Sequence, residues 1–173
     1  MVEQKGIFER RSHEGREDLA GEHALNDLIQ VILLIIFLAI WGIDSFWLKL
    51  TTFPGYAPLF LRSLIGTLLL LFSFYLSRNG LKIIFGQERA KPEVVRHGPF
   101  NRVRHPIYLA SILLYLGLTV FTFSLASLIM CVIIIIYYDF AARHEEKLLL
   151  TKYGDDYKKY MAEVPRWIPR LRS

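Results

Sequence analysis

The sequence predicts an all-α integral membrane protein: four transmembrane helices, the last two forming a helical hairpin, plus a cytoplasmic C-terminal helical cap. Three observations lead there. Of 173 residues, 53% are apolar and 21% charged, with a mean hydropathy of +0.33, which is more apolar surface than a domain of this size can bury in water. Uncharged runs of the length a bilayer core selects recur along the chain. Lys and Arg gather between those runs. The same figures exclude a disordered chain, an ordinary soluble domain and a disulfide-stapled scaffold. The single cysteine, Cys131, lies in an apolar run, so the expectation is a membrane-buried thiol with no disulfide and no Cys-based zinc site.

Residues 1–27 hold seven acidic and four basic side chains of mixed order. They read as a partly helical or disordered lead-in without chemistry of its own, too long and charged for a cleaved signal. Residues 28–48 form the first span, apolar except for Gln30 and Asp44; at about 1.5 Å per residue they cover the roughly 30 Å of a bilayer core. Residues 49–55, with Thr51, Thr52, Pro54 and Gly55, read as a tight turn. Residues 56–77 form the second span, interrupted only by Arg62, which can extend its head to the interface. Residues 28–77 thus make a first helix pair, and residues 78–173 the remaining, chemistry-bearing core.

Residues 106–138 contain no Asp, Glu, Lys or Arg, and one helix of that length would reach about 50 Å. Two shorter legs fit better, with the turn among Gly117, Thr119, Thr122, Phe123 and Ser124. Periodicity leaves this open, but charge resolves it. Lys plus Arg number four in residues 1–27, one in 49–55, seven in 78–105 and eight in 143–173. Because basic segments mark the cytoplasmic side, an even number of crossings separates each basic pair. That gives four spans with both termini cytoplasmic. The fourth span continues out of the bilayer as a helix, with Leu148, Leu149 and Tyr153 spaced beyond the charges, and Tyr157, Tyr160 and Trp167 are placed for an interfacial belt or a lid.

The polar residues converge at the start of the hairpin. Pro106 suits the first turn of a helix, and the free N–H groups beyond it favour an anion. Arg104 and His105 flank that N-terminus, Tyr108 shares a face with His105, and Gly98-Pro99 makes a turn that lets backbone approach a ligand closely. Val94 and Val95 read as a short extended stretch able to hydrogen-bond a planar ring. Hairpin closure would bring Arg104, His105 and Tyr108 against Arg143, Glu145 and Glu146. A headgroup-anchoring loop and a surface ladder of Asp139, Arg143 and Glu146 would use the same residue types.

At these positions the string G-P-F-x-x-x-R-H-P-x-Y is followed, after an apolar hairpin, by R-H-E-E-x-L-L-L-x-x-Y-G and V-P-R-x-I-P. This ordered set resembles the isoprenylcysteine carboxyl methyltransferase family and its prokaryotic relatives over about residues 85–170. The resemblance implies S-adenosylmethionine under a cytoplasmic lid, with S-adenosylhomocysteine as product and a methyl acceptor reached through the bilayer. It makes Gln87, Val94, Val95, Phe100, His105, Pro106, Ile107, Tyr108 and Glu145 cofactor contacts, and Arg143 the nearest match to a substrate-handling arginine. Phe100 stands where eukaryotic members commonly carry tyrosine.

Methyl transfer from a sulfonium asks the protein mainly for alignment and a dry path, so no metal or covalent nucleophile is expected. Arg104 and His105 would hold the methionyl carboxylate, and Glu145 the ribose or amino group. A carboxylate acceptor needs only positioning by Arg143; an amine needs a base, for which Glu146, His144 and Asp139 are the candidates. The expected function is methyl transfer to a membrane-embedded lipophilic acceptor, a prenylcysteine-like carboxylate or a lipid, with membrane lipids as partners and no nucleic acid. The alternatives are an NADPH-dependent sterol or lipid reductase, whose C-terminal pattern is similar, and a non-catalytic membrane scaffold.

Overall fold

The computed structural model describes residues 24–85 and 93–169; most of the 1–27 lead-in and Gln87 lie outside the described residues. Helix α1 (Ala24–Gly42) continues as a π-helical segment (Ile43–Leu48). A 3-10 turn (Pro54–Tyr56) leads to α2 (Leu59–Phe85), and a second one (Gly98–Asn101) precedes α3 (Pro106–Thr122), α4 (Leu125–Tyr153) and α5 (Asp155–Glu163). No strand occurs among the described residues. Three stretches, Asn26–Leu48, Leu59–Phe85 and Leu125–Tyr153, are long and apolar enough to cross a membrane, while α3 is apolar but shorter.

Local chemistry explains where the elements differ from the sequence expectation. α2 continues past residue 77 to Phe85: the Asn79 amide donates to Tyr75 O at 2.8 Å, and Gly80 makes room for Ile107, whose Cγ1 would stand 2.9 Å from an added Cβ. The 106–138 run breaks at Phe123 and Ser124. Phe123 adopts the left-handed conformation (φ 53°) and donates its N–H to Thr119 O, while Ser124 Oγ accepts from Ser127 N and caps α4. Gly117, expected in the turn, belongs instead to α3. With Gly66 it lets two backbones approach: a Cβ on either glycine would lie 3.2 Å from the other's carbonyl oxygen.

α3 is the central helix. α2 packs along it, with Ser73 Oγ donating to Ala110 O at 2.6 Å. α1 and α4 close the other side through a core of Phe37, Ile112, Tyr115, Met130, Cys131, Ile134 and Tyr138. α1 and α2 have little or no direct contact with each other. Outward faces of α1, α2 and α4 carry exposed Ile35, Leu68, Phe74 and Ile136, an apolar girdle suited to lipid.

One end of this bundle is stitched shut. The π-helical register turns Asp44 and Ser45 inward. The Asp44 carboxylate accepts hydrogen bonds from Thr51 N (3.0 Å), Thr51 Oγ1 (2.7 Å), Thr52 Oγ1 (3.1 Å) and Ser124 Oγ (2.6 Å). Backbone bonds Phe53 N to Phe123 O and Leu125 N to Thr51 O join the two turns. Arg62 Nη1 donates to Phe121 O at 3.0 Å, placing a cation at the negative end of the α3 dipole. With both turns fastened together, α3 and α4 run back to the opposite end, where the site forms.

Candidate functional site

His105 occupies the N-cap position of α3 and Pro106 its first turn, as the missing proline N–H favours. The antiparallel return of α4 brings two consecutive glutamates to it: His105 Nδ1 lies 3.5 Å from Glu145 Oε2 and Nε2 lies 3.1 Å from Glu146 Oε1. With a carboxylate at each ring nitrogen, the doubly protonated imidazolium is favoured. Burial depresses its basicity, but the hydrogen bonds to Glu145 and Glu146 outweigh that and raise its pKa above the ordinary 6.5. The ring stacks on Tyr108 at 5.5 Å, nearly parallel, with Trp167 5.9 Å away.

The two glutamates face different surroundings. Glu146 is 3% exposed and is held by three cations: His105, Arg104 (Nε at 3.2 Å, off the hydrogen-bonding angle) and Arg166, whose Nε and Nη2 reach Oε1 and Oε2 at 3.0 and 2.5 Å. Arg166 also donates through Nη1 to Asp139 Oδ1 at 3.1 Å, where the Trp167 indole N–H joins it. Hydrogen bonds to Glu146 raise the Arg166 pKa further. Glu145 instead borders a cavity of ≈ 400 Å³, within the size range of sites that enclose drug-sized molecules, about 300–1,000 Å³.

Every helix contributes to that cavity. α1 supplies Asn26, Asp27 and Gln30; α2 supplies Leu81, Ile84 and Phe85; the segment before α3 supplies Glu93, Val94, Val95 and Phe100. Arg104, His105, Pro106, Ile107 and Tyr108 form the wall at the start of α3, and Glu145, Leu149, Tyr153, Tyr157 and Tyr160 complete it. α5 closes over a small cluster of Tyr157, Tyr160 and Val164, and Tyr160 Oη donates to Phe100 O at 2.6 Å. Burial raises the Tyr157 and Tyr160 pKa values, with the charges of Glu146 and Glu145 adding to Tyr157, so both stay neutral donors. Asn26 binds two tyrosines at once, its amide donating to Tyr108 Oη (2.9 Å) and its carbonyl accepting from Tyr137 Oη (2.6 Å).

Of the residues expected to bind a cofactor, Val94, Val95, Phe100, Arg104, His105, Pro106, Ile107, Tyr108 and Glu145 meet around this one cavity. Gly98 does not line it. Its positive φ of 62° and its close approach serve α2, since a Cβ there would stand 2.5 Å from Ile83 Cδ1. Arg143 lies outside the cavity, its side chain 65% exposed and paired with Asp139 one turn back at 2.7 Å. Glu146 sits behind the wall, turned inward and away from the expected surface ladder.

Sequence reasoning missed Asn26 and Asp27, which fell within a segment assigned no chemistry, and Arg166. A signal existed for the first: Asn26 and Gln30 are four residues apart at the start of an apolar helix, hence on one face. Tyr157 and Tyr160, placed by the sequence for an interfacial belt or a lid, are buried and line the cavity. Arg166 stood in the V-P-R-x-I-P string, but nothing in that string named Glu146 as its partner.

The family described as phospholipid methyltransferase matches residues 61–156, more than half of the chain. The chain belongs to the phospholipid methyltransferase family. This is the family of integral membrane methyltransferases to which the resemblance in the hairpin motifs pointed. The matched segment of this phospholipid methyltransferase family member runs from the first turns of α2 into α5. It contains the His105 wall and both glutamates; the α1 residues of the cavity and Arg166 lie beyond it. No curated protein matches the chain. Membership makes methyl transfer in a membrane the activity class.

Proposed function

We propose that the cavity at the His105 end binds S-adenosylmethionine, and that the protein transfers its methyl group to a lipophilic acceptor in the bilayer, a prenylcysteine-like carboxylate or a lipid. The observation that carries this reading is the donor set. Asp27, Glu93 and Glu145 border a single cavity with the aromatic rings of Phe100, Tyr108, Tyr153, Tyr157 and Tyr160. Carboxylates and aromatic faces suit a ligand bearing a sulfonium, an ammonium and a purine. When bound, the cofactor supplies an electrophilic methyl on sulfur.

The chain's own residues hold and orient. Glu145 accepts hydrogen bonds from the ammonium or ribose, Phe100 and the Val94-Val95 backbone bracket the base, and the first N–H groups of α3 beside His105 receive the carboxylate. Pro106, Ile107 and Tyr108 keep that wall apolar and dry. Glu146 acts at one remove, through His105 and Arg104. Arg143 faces outward beside Asp139 and meets headgroups at the rim. The acceptor reaches the cavity between α1 and α2, which scarcely touch each other and whose ends line it.

In the bilayer, α3 serves as the fourth crossing, its 17 residues spanning about 26 Å. The lysine and arginine distribution then puts both termini, the cavity and the α5 cap on the cytoplasmic side. The test is transfer of a radiolabelled methyl group from S-adenosylmethionine by the detergent-purified protein, offered a total lipid extract or a prenylcysteine analogue. Label in an organic-extractable product supports the reading. Its absence from both acceptor pools, with the protein folded and the cofactor bound, contradicts methyl transfer to these acceptors.

A further inference from the structure

The paired glutamates divide their work, and the division leads out of the cavity to the C-terminal strap, residues 164–167. Three contacts fasten this strap. Arg104 N donates to Pro165 O at 3.0 Å, Trp167 donates to Asp139 and lies against His105, and Arg166 bridges Asp139 and Glu146. His105 therefore stands between the cavity on one side and a braced wall on the other, and Glu146 is the carboxylate that meets both His105 and Arg166.

We propose that Arg166 is a positioning residue that, by gripping Glu146 in a two-pronged ion pair, fixes the His105 imidazole in the cavity wall and couples the C-terminal strap to the ligand site. The consequence for ligand binding rests on the cofactor reading above; the coupling of Arg166 to His105 does not. A guanidinium suits the role because its planar fork engages both carboxylate oxygens, whereas a lysine offers a point charge.

The charges that meet at His105 come from every element around it: Glu145 and Glu146 with Asp139 from α4, Arg104 from its own segment, Tyr108 from α3, and Arg166 from the strap. Tyr157 and Tyr160 of α5 stay neutral, and Asp27 of α1 lies across the cavity. Arg166 and His105 compete for the negative charge of Glu146. Removing Arg166 leaves more of that charge to His105, and the imidazole then holds its proton to higher pH.

The test is histidine NMR on the 13C-labelled full chain in detergent, with the His105 signal assigned by its loss in His105→Gln. In Arg166→Gln the His105 titration is expected to move alkaline by about one pH unit, because a like charge that disfavours the imidazolium is removed, and its resonance to broaden as the brace is lost. Arg166→Lys should move it in the same direction by less, and provides the reading if Arg166→Gln does not fold. A His105 titration and linewidth in the variants identical to wild type overturns the proposal. S-adenosylhomocysteine binding on the same samples separates the two readings. A shifted His105 in the variants, with a wild-type protein that binds no S-adenosylhomocysteine, supports the brace and refutes the cofactor site, while normal wild-type binding with an unmoved His105 in the variants does the reverse.

Discussion

The two ends of the helix bundle each bury a carboxylate, and they treat it differently. At the closed end, Asp44 receives four hydrogen bonds from neutral donors on two turns. Its job is finished in joining them. At the other end Glu146 is met by three cations, while its neighbour Glu145 is left toward a cavity with Asp27 and Glu93. A carboxylate ringed by hydroxyls and amides fixes a turn; a carboxylate ringed by cations, beside another kept for a ligand, makes a site. Stability and binding should therefore separate by end.

The largest effect expected is on stability at the closed end. Asp44→Ala removes the buried acceptor of four hydrogen bonds and should cost about 3 kcal/mol or more, read as a drop in thermal midpoint in detergent. Ligand affinity per folded molecule should stay at the wild-type value. A loss of affinity in the folded fraction would erase the contrast between the ends.

At the open end the order reverses. Glu145→Gln is expected to weaken S-adenosylhomocysteine binding by about 1–3 kcal/mol, the consequence of removing a charged hydrogen-bond partner, while lowering the thermal midpoint less than Asp44→Ala does, through the lost pairing with His105. Next comes pH. The His105 pKa is raised above its unfolded value of about 6.5, so its stabilising contribution is whole below that pH and is lost as pH climbs through the raised folded value. The thermal midpoint should fall across that alkaline window, and His105→Gln should flatten the profile. The smallest effect is at Arg143. Its exposed pairing with Asp139 is worth about 0.3–0.5 kcal/mol, and Arg143→Ala should alter stability by no more than that and leave cofactor binding intact. A tenfold loss of binding in this variant would bring Arg143 into the cavity's work.

The legible parts of this fold were those written as charge against apolar length. The hairpin, a turn somewhere within residues 117–124, and the meeting of Arg104 and His105 with Glu145 and Glu146 follow from where charges are absent and where they resume. Less was visible where a residue's role depends on a distant partner. Gly117 looks like a turn residue but serves contact with Gly66 of another helix. Gly98 looks poised for a ligand and instead admits Ile83. Asp44, a lone acid in an apolar run, joins the adjacent Thr51-Thr52 turn to Ser124 far along the chain, and Arg166 finds Glu146 only because α5 folds the tail back. Asn26 and Asp27 were obscured by charged neighbours that blurred the start of α1.

Isothermal titration of the detergent-purified chain with S-adenosylhomocysteine tests the central claim most directly. Binding at one site per chain is predicted, weakened about fivefold or more by Glu145→Gln and unaffected by Asp44→Ala in the folded fraction. No heat of binding, or equal affinity in Glu145→Gln and wild type, would contradict a cofactor site at the His105 end.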